Sequence, residues 1–269
     1  MRYAKDVPVK IVVIGAGGTG GYVIPHLYRL GYASGRSVRI IICDGDVVEE
    51  KNLIRQNFIA QDIGRNKAEV QAERYSAAFG IACEYRPEFI ETEEELLELT
   101  TPDQLHIGGV YSPEYLPRAQ RVILLGCVDN NRSRQLCDRV FKRQPNLIYI
   151  DSGNGESTGQ VVCGVRQKGR ITCRPIGSVY PDVLKDEDKF PSELSCAERA
   201  VSAPQSVTAN LMAASAVVSF LYNLLIVGEL RTRYVTFSSE LVSIRCIIRS
   251  CGHLGQRRIL SRPRQETTI

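Results

Sequence analysis

The chain has 269 residues, of which 43% are hydrophobic and 24% are charged, and its formal net charge is +4. These values predict an ordinary soluble globular protein with a sizeable core, built as one large domain or two small ones. Nine cysteines without regular pairing, behind an N-terminus that lacks an apolar signal region, favour reduced thiols in the cytoplasm over a secreted, disulfide-bonded protein.

A glycine-rich turn follows the first predicted strand. The β-branched residues Ile11 to Ile14 predict a strand buried on both faces. The next helix, roughly Gly18 to Leu30, would point its positive N-terminus at the turn, where bare backbone can approach a phosphate. The glycines that we expect to bind a nucleotide are Gly15, Gly17, Gly18 and Gly20.

The rest of the first half alternates strands with helices. A second apolar strand, Ser37 to Asp44, ends in an acid at the place expected for a ribose-binding carboxylate. Asn66 to Phe79 predicts a helix with Asn66 as N-cap and Glu69 in a capping box. Further strands are predicted at Ile81 to Tyr85, Arg121 to Val128 and Leu147 to Asp151, and helices at Glu91 to Leu99 and Asn131 to Phe141. This alternation predicts an α/β fold with a doubly wound, Rossmann-like, mostly parallel sheet.

The second half has a different pattern. Gly159 to Val165 predicts an antiparallel hairpin extension of the sheet, and Pro181 to Ser195 predicts an exposed crossing loop. The uncharged run Leu211 to Gly228 favours a helix in the core or at a subunit interface over a membrane span. Arg233 to Ser238 and Leu241 to Ile248 predict two final strands, which complete an antiparallel C-terminal extension.

The segment from Cys43 to Lys67, CDGDVVEEKNLIRQNFIAQDIGRNK, resembles the signature of the ThiF, MoeB and HesA family of bacterial ubiquitin-activating-like enzymes. That signature is D-x-D-x-V-x-x-x-N-L-x-R-Q followed by D-x-G-x-x-K. Every fixed letter is present: Asp44, Asp46, Val47, Asn52, Leu53, Arg55, Gln56, Asp62, Gly64 and Lys67. A second family element, a D-N pair after a later strand, is matched by Asp129 and Asn130, with Arg134 beyond them.

The resemblance implies ATP-dependent adenylation of the C-terminal glycine of a small ubiquitin-like β-grasp protein, with release of pyrophosphate. An ionised terminal carboxylate needs no general base, so cations fixed near the phosphates are the natural catalysts, and Arg55 and Lys67 are the candidates. Asp129 is expected to hold Mg²⁺, or to serve as a helix N-cap, or both. The residues assigned to ATP are Gly15, Gly17, Gly18, Gly20, Asp44, Asp46, Asn52, Arg55, Gln56, Lys67, Asp129 and Asn130. The two amides Asn52 and Gln56 could instead close a turn.

The cysteines depart from the family pattern. Many members hold a structural zinc with two C-x-x-C pairs, but Cys173 has no partner three residues on, and four residues separate Cys246 from Cys251. An alternative zinc site would consist of Cys173, Cys246, Cys251 and His253, but we expect ordinary buried thiols instead.

Cys196 lies where some members have a cysteine that takes part in sulfur transfer or thioester formation. Ala200 replaces the glycine of the family's C-x-x-x-G-V segment, so a small buried cysteine is an equal alternative.

The resemblance also implies an adenylation domain over residues 1–254, with a nucleotide-binding half at 1–152, a partner half at 153–254 and a basic polar tail at 255–269. The tail's arginines lack the aromatic or apolar periodicity of a nucleic-acid interface.

A homodimer is expected, with a conjugating enzyme or sulfur donor as a further partner. No nucleic-acid or membrane partner is expected. Two alternatives remain open, an NAD-dependent oxidoreductase and a non-catalytic binding subunit.

Overall fold

The computed structural model describes residue 4 and residues 7–107, 114–117, 119–193 and 205–246. Its strands are β1 (Val9–Ile14), β2 (Val38–Cys43), β3 (Cys83–Arg86), β4 (Gln104–Ile107), β5 (Glu114–Pro117), β6 (Arg121–Gly126), β7 (Leu147–Asn154), β8 (Thr158–Gln167), β9 (Arg170–Cys173), β10 (Tyr234–Ser238) and β11 (Ser243–Cys246). Its helices are α1 (Gly18–Ser34), α2 (Lys67–Phe79), α3 (Glu93–Thr100), α4 (Asn131–Arg143), α5 (Ile176–Val179) and α6 (Val207–Tyr222). A π-helical turn, Asn223–Val227, prolongs α6.

A nine-stranded sheet forms the centre of the described structure, in the order β11-β10-β8-β7-β6-β1-β2-β3 with β9 paired to β8. The strands from β7 to β3 pair in parallel, whereas β8, β9, β10 and β11 join by antiparallel pairs. The predicted Rossmann-like sheet with an antiparallel C-terminal extension is therefore confirmed. The chain winds outward from β1 to β3 and then returns to β6 on the other side of β1. This switch point is where open α/β sheets bind ligands.

Helices cover both faces of the sheet, and β1 is buried at every position. Ile11 and Val13 belong to the core that includes α1 and α6, whereas Val12 and Ile14 belong to the core that includes α3 and α4. Successive strand residues point to opposite faces, so one β-branched run supplies both cores. Burial of each such side chain stabilises the fold by about 1.5–3 kcal/mol.

The apolar helix α6 begins at Val207, four residues before the predicted start. The Ser206 hydroxyl caps it by accepting the Ala209 N–H at 3.1 Å. The stretch Val207–Val227 is long and apolar enough to cross a bilayer, with mean hydropathy 1.8, but half of it is buried within the fold. A core helix meets the same criterion, and α6 packs against α1, β7 and β8 as predicted for a core helix.

Several element boundaries differ from the sequence predictions. Helix α1 continues to Ser34 and ends where Gly35 adopts a left-handed conformation with φ of 64°. Strand β6 ends at Gly126, two residues early, because the next residues form the wall of a cavity. The crossing loop contains 3₁₀ turns at Pro181–Leu184 and Pro191–Glu193. Its described residues are mostly exposed, as predicted, but Phe190 is buried in the core that includes α4.

Four short elements, β4, β5, β9 and α5, were not predicted. Strands β4 and β5 form a separate two-stranded sheet. The strand β9 pairs with β8 through an irregular register after Val165. None of these elements is long enough to show hydrophobic periodicity.

Strands from both predicted halves share the large sheet, because β7 pairs with β8 along its whole length. The division into halves stays a prediction, and the basic tail lies outside the described residues.

Candidate functional site

A cavity of about 720 Å³ opens at the carboxyl ends of β1, β2 and β6. Three separate parts of the sequence bring the candidate residues to its wall: the glycine turn, the segment from Asp44 to Lys67, and the residues after β6. The candidate residues on the wall are Gly15, Gly17, Gly18, Asp44, Asp46, Asn52, Arg55, Gln56, Lys67, Asp129 and Asn130. The fold thus brings together all but one of the residues assigned to ATP, and the exception, Gly20, lies behind the wall.

Two glycines of the turn leave no room for a side chain. Gly15 has φ of 93°, and a Cβ there would lie 2.6 Å from the Cys127 carbonyl oxygen. A Cβ on Gly20 would lie 1.9 Å from the Gly15 oxygen. Gly17, the N-cap of α1, offers no side chain to the helix N–H groups. The N-terminus of α1 is therefore available to an anion.

Asp44 is fixed at the end of β2 by two backbone N–H groups. Its Oδ2 accepts from Ala16 at 2.7 Å, and its Oδ1 accepts from Asp46 at 2.9 Å. Burial raises the pKa of the Asp44 carboxyl above its ordinary value, while the Lys67 ammonium and the two N–H groups oppose that shift. Each carboxylate oxygen keeps a further lone pair, so Asp44 can accept two hydroxyl groups.

Lys67 lies in the first turn of α2 with its side chain only 7% exposed. Its Nζ donates to the Asp46 carboxylate at 2.9 Å. Asn66 is the N-cap of this helix, as predicted, and its side chain accepts the Glu69 N–H. The Asn66 amide also donates to the carbonyls of Asp44 and Asp46 at 2.8 and 3.1 Å. One asparagine therefore fixes both the helix that carries Lys67 and the loop opposite it.

The amides flanking Arg55 differ in their contacts. Asn52 Oδ1 accepts the Glu49 N–H at 2.9 Å, so this side chain closes a turn, one of the two roles left open by the sequence. Gln56 is 7% exposed, and its Oε1 has no hydrogen-bond partner among the described residues. Arg55 Nη1 donates to Gln205 Oε1 at 3.0 Å. A buried acceptor without a donor is costly, so Gln56 is suited to a ligand that donates to it.

Asp129 and Asn130 divide two roles between them. Asn130 is the N-cap of α4, and its Oδ1 accepts the Ser133 N–H at 2.8 Å. The alternative prediction, that Asp129 is this N-cap, is therefore wrong. Asp129 is exposed and lines the cavity. Its carboxylate is thereby left for a ligand.

Arg134 anchors the segment between β6 and α4 that carries Asp129 and Asn130. Its Nη2 donates to the Val128 carbonyl at 2.6 Å and its Nη1 to Asn131 Oδ1 at 2.9 Å. Its Nε lies 3.5 Å from Asp151 Oδ1, and the Tyr149 hydroxyl donates to the other Asp151 oxygen at 2.6 Å. Burial raises the pKa of Asp151, and the Arg134 charge opposes that shift. The backbone just before Asp129 is thus anchored to a buried ion pair.

Sequence reasoning missed several residues around the cavity. Asn154, at the end of β7, and Gln205 both line it, and Asn210 is fully buried behind it. Asp188 of the crossing loop accepts the Asn131 N–H at 2.8 Å, at the start of α4. The available signal was a polar residue at the edge of a segment that predicts burial, as with Asn210, which directly precedes the apolar run Leu211 to Gly228.

The cysteine candidates are only partly described. Cys173 is buried in β9, as expected, but Cys246 is exposed, so its predicted burial is wrong. The reason is that β11 is an edge strand of the sheet. Cys196, Cys251 and His253 lie outside the described residues. Within the described ranges, no group of three or more His, Cys, Asp or Glu side chains is placed to hold a metal ion.

The fold and the glycine-lined cavity at its switch point define a Rossmann-like α/β protein. The model of the ThiF family matches residues 5–251, and the chain belongs to that family.

Two curated relatives are much longer proteins. The chain is 28% identical over 172 residues to the SUMO-activating enzyme subunit uba-2 of Caenorhabditis elegans, a match that covers 64% of this chain and 25% of that protein. It is 28% identical over 161 residues to the ubiquitin-activating enzyme E1 1 of Candida albicans (strain WO-1), with 59% and 15% covered. The chain thus spans a quarter or less of either relative.

Solved structures show the same fold. A crystal structure of selenomethionine PaaA has a TM-score of 0.59 at 18% identity, covering 89% of this chain and 63% of that one. A crystal structure of E. coli MccB with ATP has a TM-score of 0.56 at 19% identity, covering 89% and 62%. At these identities the likeness concerns the fold alone.

Proposed function

We propose that this chain catalyses ATP-dependent adenylation of the C-terminal carboxylate of a small ubiquitin-like β-grasp protein. The observation that carries the proposal is the convergence of the glycine turn, Arg55, Lys67 and Asp129 on one cavity. The similarity to a SUMO-activating subunit and a ubiquitin-activating enzyme supports it. Membership of the ThiF family favours adenylation over the dehydrogenase alternative, because an NAD site leaves the segment from Asn52 to Lys67 unexplained.

In the proposed reaction, a carboxylate oxygen attacks the α-phosphorus of ATP. The bond from that phosphorus to the bridging oxygen of the β-phosphate breaks, and pyrophosphate departs with the bonding electrons. The attacking carboxyl has a pKa of about 3.5, so it is already ionised at neutral pH and needs no base. The barrier arises from negative charge on both reactants, which positioned cations lower.

The side chains of the cavity are assigned accordingly. Asp44 accepts the ribose hydroxyls, and the N-terminus of α1 receives a phosphate. The Lys67 ammonium is paired with a single carboxylate, that of Asp46. A triphosphate carries more negative charge than one carboxylate, so Lys67 is assigned to the phosphates. The Arg55 guanidinium exchanges its hydrogen bond to the neutral amide oxygen of Gln205 for a hydrogen bond to a phosphate oxygen. The second bond is stronger because its acceptor is charged.

Mg²⁺ fits the site through Asp129. This ion is usually held by one or two carboxylates together with substrate phosphates, so a single exposed carboxylate beside the phosphate-binding residues is an adequate donor set. When bound, Mg²⁺ would offset the charge of the phosphate oxygens.

The test combines binding with isotope exchange. Calorimetry with ATP, Mg²⁺ and NAD measures nucleotide choice, and pyrophosphate exchange is measured with candidate β-grasp proteins that end in glycine. Arg55→Ala and Asp129→Ala are expected to lower exchange on the order of 100-fold or more. Arg231→Ala and Asp182→Ala are matched controls, since both side chains are exposed and lie outside the cavity. NAD binding as tight as ATP binding, without exchange, would overturn the assignment, and ATP binding without exchange would favour a non-catalytic subunit.

We also propose that the chain forms a homodimer. Leu211 and Tyr222 on α6 are about half exposed, and covering them would remove apolar surface from water. Light scattering at micromolar concentration measures the assembly, and a stable monomer contradicts this proposal. A conjugating enzyme that accepts the activated acyl group, or a sulfur donor that transfers sulfur to it with release of AMP, is proposed as the further partner.

A further inference from the structure

The start of α6 contacts Arg55 at both ends of the arginine. Gln205, just before the helix, accepts from the Arg55 guanidinium, with Nη1 to Oε1 at 3.0 Å. Asn210, in the first turn, donates from Nδ2 to the Arg55 carbonyl oxygen at 3.3 Å. One short segment thus holds both the backbone and the charged head of the arginine that faces the cavity.

Asn210 is itself held in a single orientation. Its Oδ1 accepts from Asn154 Nδ2 at 2.9 Å, and Asn154 Oδ1 accepts from the Thr19 hydroxyl at 3.1 Å. These bonds leave the Nδ2 group facing Arg55. The Asn210 amide also lies against Gly18, where a Cβ would be 2.8 Å from Nδ2. Asn210 is fully buried and does not line the cavity.

The hydrogen bonds form a continuous chain from the glycine turn to Arg55. Thr19 belongs to α1, Asn154 to β7 and Asn210 to α6, so three elements are connected at one point. A buried network in which each amide has partners fixes the position of its members. The position of Arg55 is therefore set by residues far from it in sequence and absent from the family signature quoted above.

We propose that Asn210 and Gln205 are positioning residues for Arg55. Asn210 fixes the arginine backbone, and Gln205 holds the guanidinium at the cavity wall until a phosphate oxygen replaces the amide oxygen. The exchange is favourable because a hydrogen bond to an anion is stronger than one to a neutral amide. This inference rests on the proposed function, since it assigns the residues that prepare Arg55 for the transition state.

A double-mutant cycle tests the inference. Asn210→Ala is expected to lower kcat for pyrophosphate exchange about 10-fold, with KM for ATP changed by less than about 2-fold, because Arg55 acts mainly on the transition state. In an Arg55→Ala background, the same substitution is expected to change kcat by less than about 2-fold, since the residue through which it acts is gone. Ser219→Ala is the control, because this exposed residue lies on the same helix and its hydroxyl donates to the Ser215 carbonyl of that helix.

Gln205→Ala keeps the test decisive if Asn210→Ala does not fold, because Gln205 is only partly buried. A loss in kcat of about 3-fold is expected, and it too should disappear in the Arg55→Ala background. Losses of equal size in both backgrounds would overturn the inference and leave the proposed function standing. A wild-type chain without any exchange would overturn the proposed function and this inference with it.

Discussion

Removing the guanidinium between Asp151 and the Val128 carbonyl should destabilise the chain strongly. Arg134 is 9% exposed and Asp151 is wholly buried, and loss of one member of a buried pair costs about 3–5 kcal/mol. The distance of 3.5 Å between Arg134 Nε and Asp151 Oδ1 is long, and neither atom makes a hydrogen bond in the described structure. We therefore expect Arg134→Met to lower the free energy of unfolding by about 3 kcal/mol, at the lower end of that range.

Asp151→Asn tests the role of charge, because it removes the negative charge of this side chain and keeps nearly the same shape. In the double variant Arg134→Met with Asp151→Asn, no buried carboxylate is left without its cation, so about 1–2 kcal/mol of the loss should be recovered. Urea unfolding followed by far-UV circular dichroism measures both, because the chain has no tryptophan to report by fluorescence. If the double variant is no more stable than Arg134→Met alone, Asp151 does not depend on Arg134 and the reasoning fails.

Three further predictions concern the site. Gly18→Ala should weaken ATP binding and cost about 1–3 kcal/mol of stability, because the new Cβ would lie 2.8 Å from the Asn210 amide. Gly155→Ala should cost far less, since a Cβ there would have no atom within 4 Å. Calorimetry measures ATP binding, and urea unfolding measures stability. The raised pKa of Asp44 means that the folded chain holds this proton more tightly than the unfolded chain, so its contribution to stability is full below the ordinary value of 3.8 and is lost as pH rises through the raised pKa. Asp44→Asn should remove that part of the pH dependence, and an unchanged pH profile of unfolding would contradict the shift. Cys196→Ala should leave pyrophosphate exchange nearly intact and abolish only a thiol-reducible adduct with the β-grasp partner, detected by intact mass; an adduct that persists excludes this cysteine, and loss of exchange itself marks it as structural.

The sequence predicted the parts of the site that lie next to strands. The patterns at Ile11 to Ile14, before Asp44 and before Asp129 each predicted a buried strand followed by polar residues. Because the carboxyl ends of parallel strands meet at one edge, these residues meet in one cavity.

The remaining site contacts depend on tertiary approach. Asn210 lies 155 residues from Arg55 and 56 from Asn154, and no local pattern specifies which polar groups meet over such separations. The choice of Asn130 over Asp129 as the N-cap of α4 has a related cause. Both residue types are good caps, and only the backbone conformation, with φ of −117° and ψ of 147° at Asn130, decides between them.

The contact between Gly18 and Asn210 bears on how the protein is made. A ribosome adding about 5–20 residues per second needs roughly 10–40 s to extend the chain from the glycine turn to the start of α6. During that interval β1 and β2 can pair, but α1, which begins at the glycine turn, lacks the helix α6 that packs against it. A nascent chain halted before α6 should therefore fail to retain ATP in a filter-binding assay, while the released chain retains it. Nucleotide would then assist only the last stage of folding, after most of the sheet has formed.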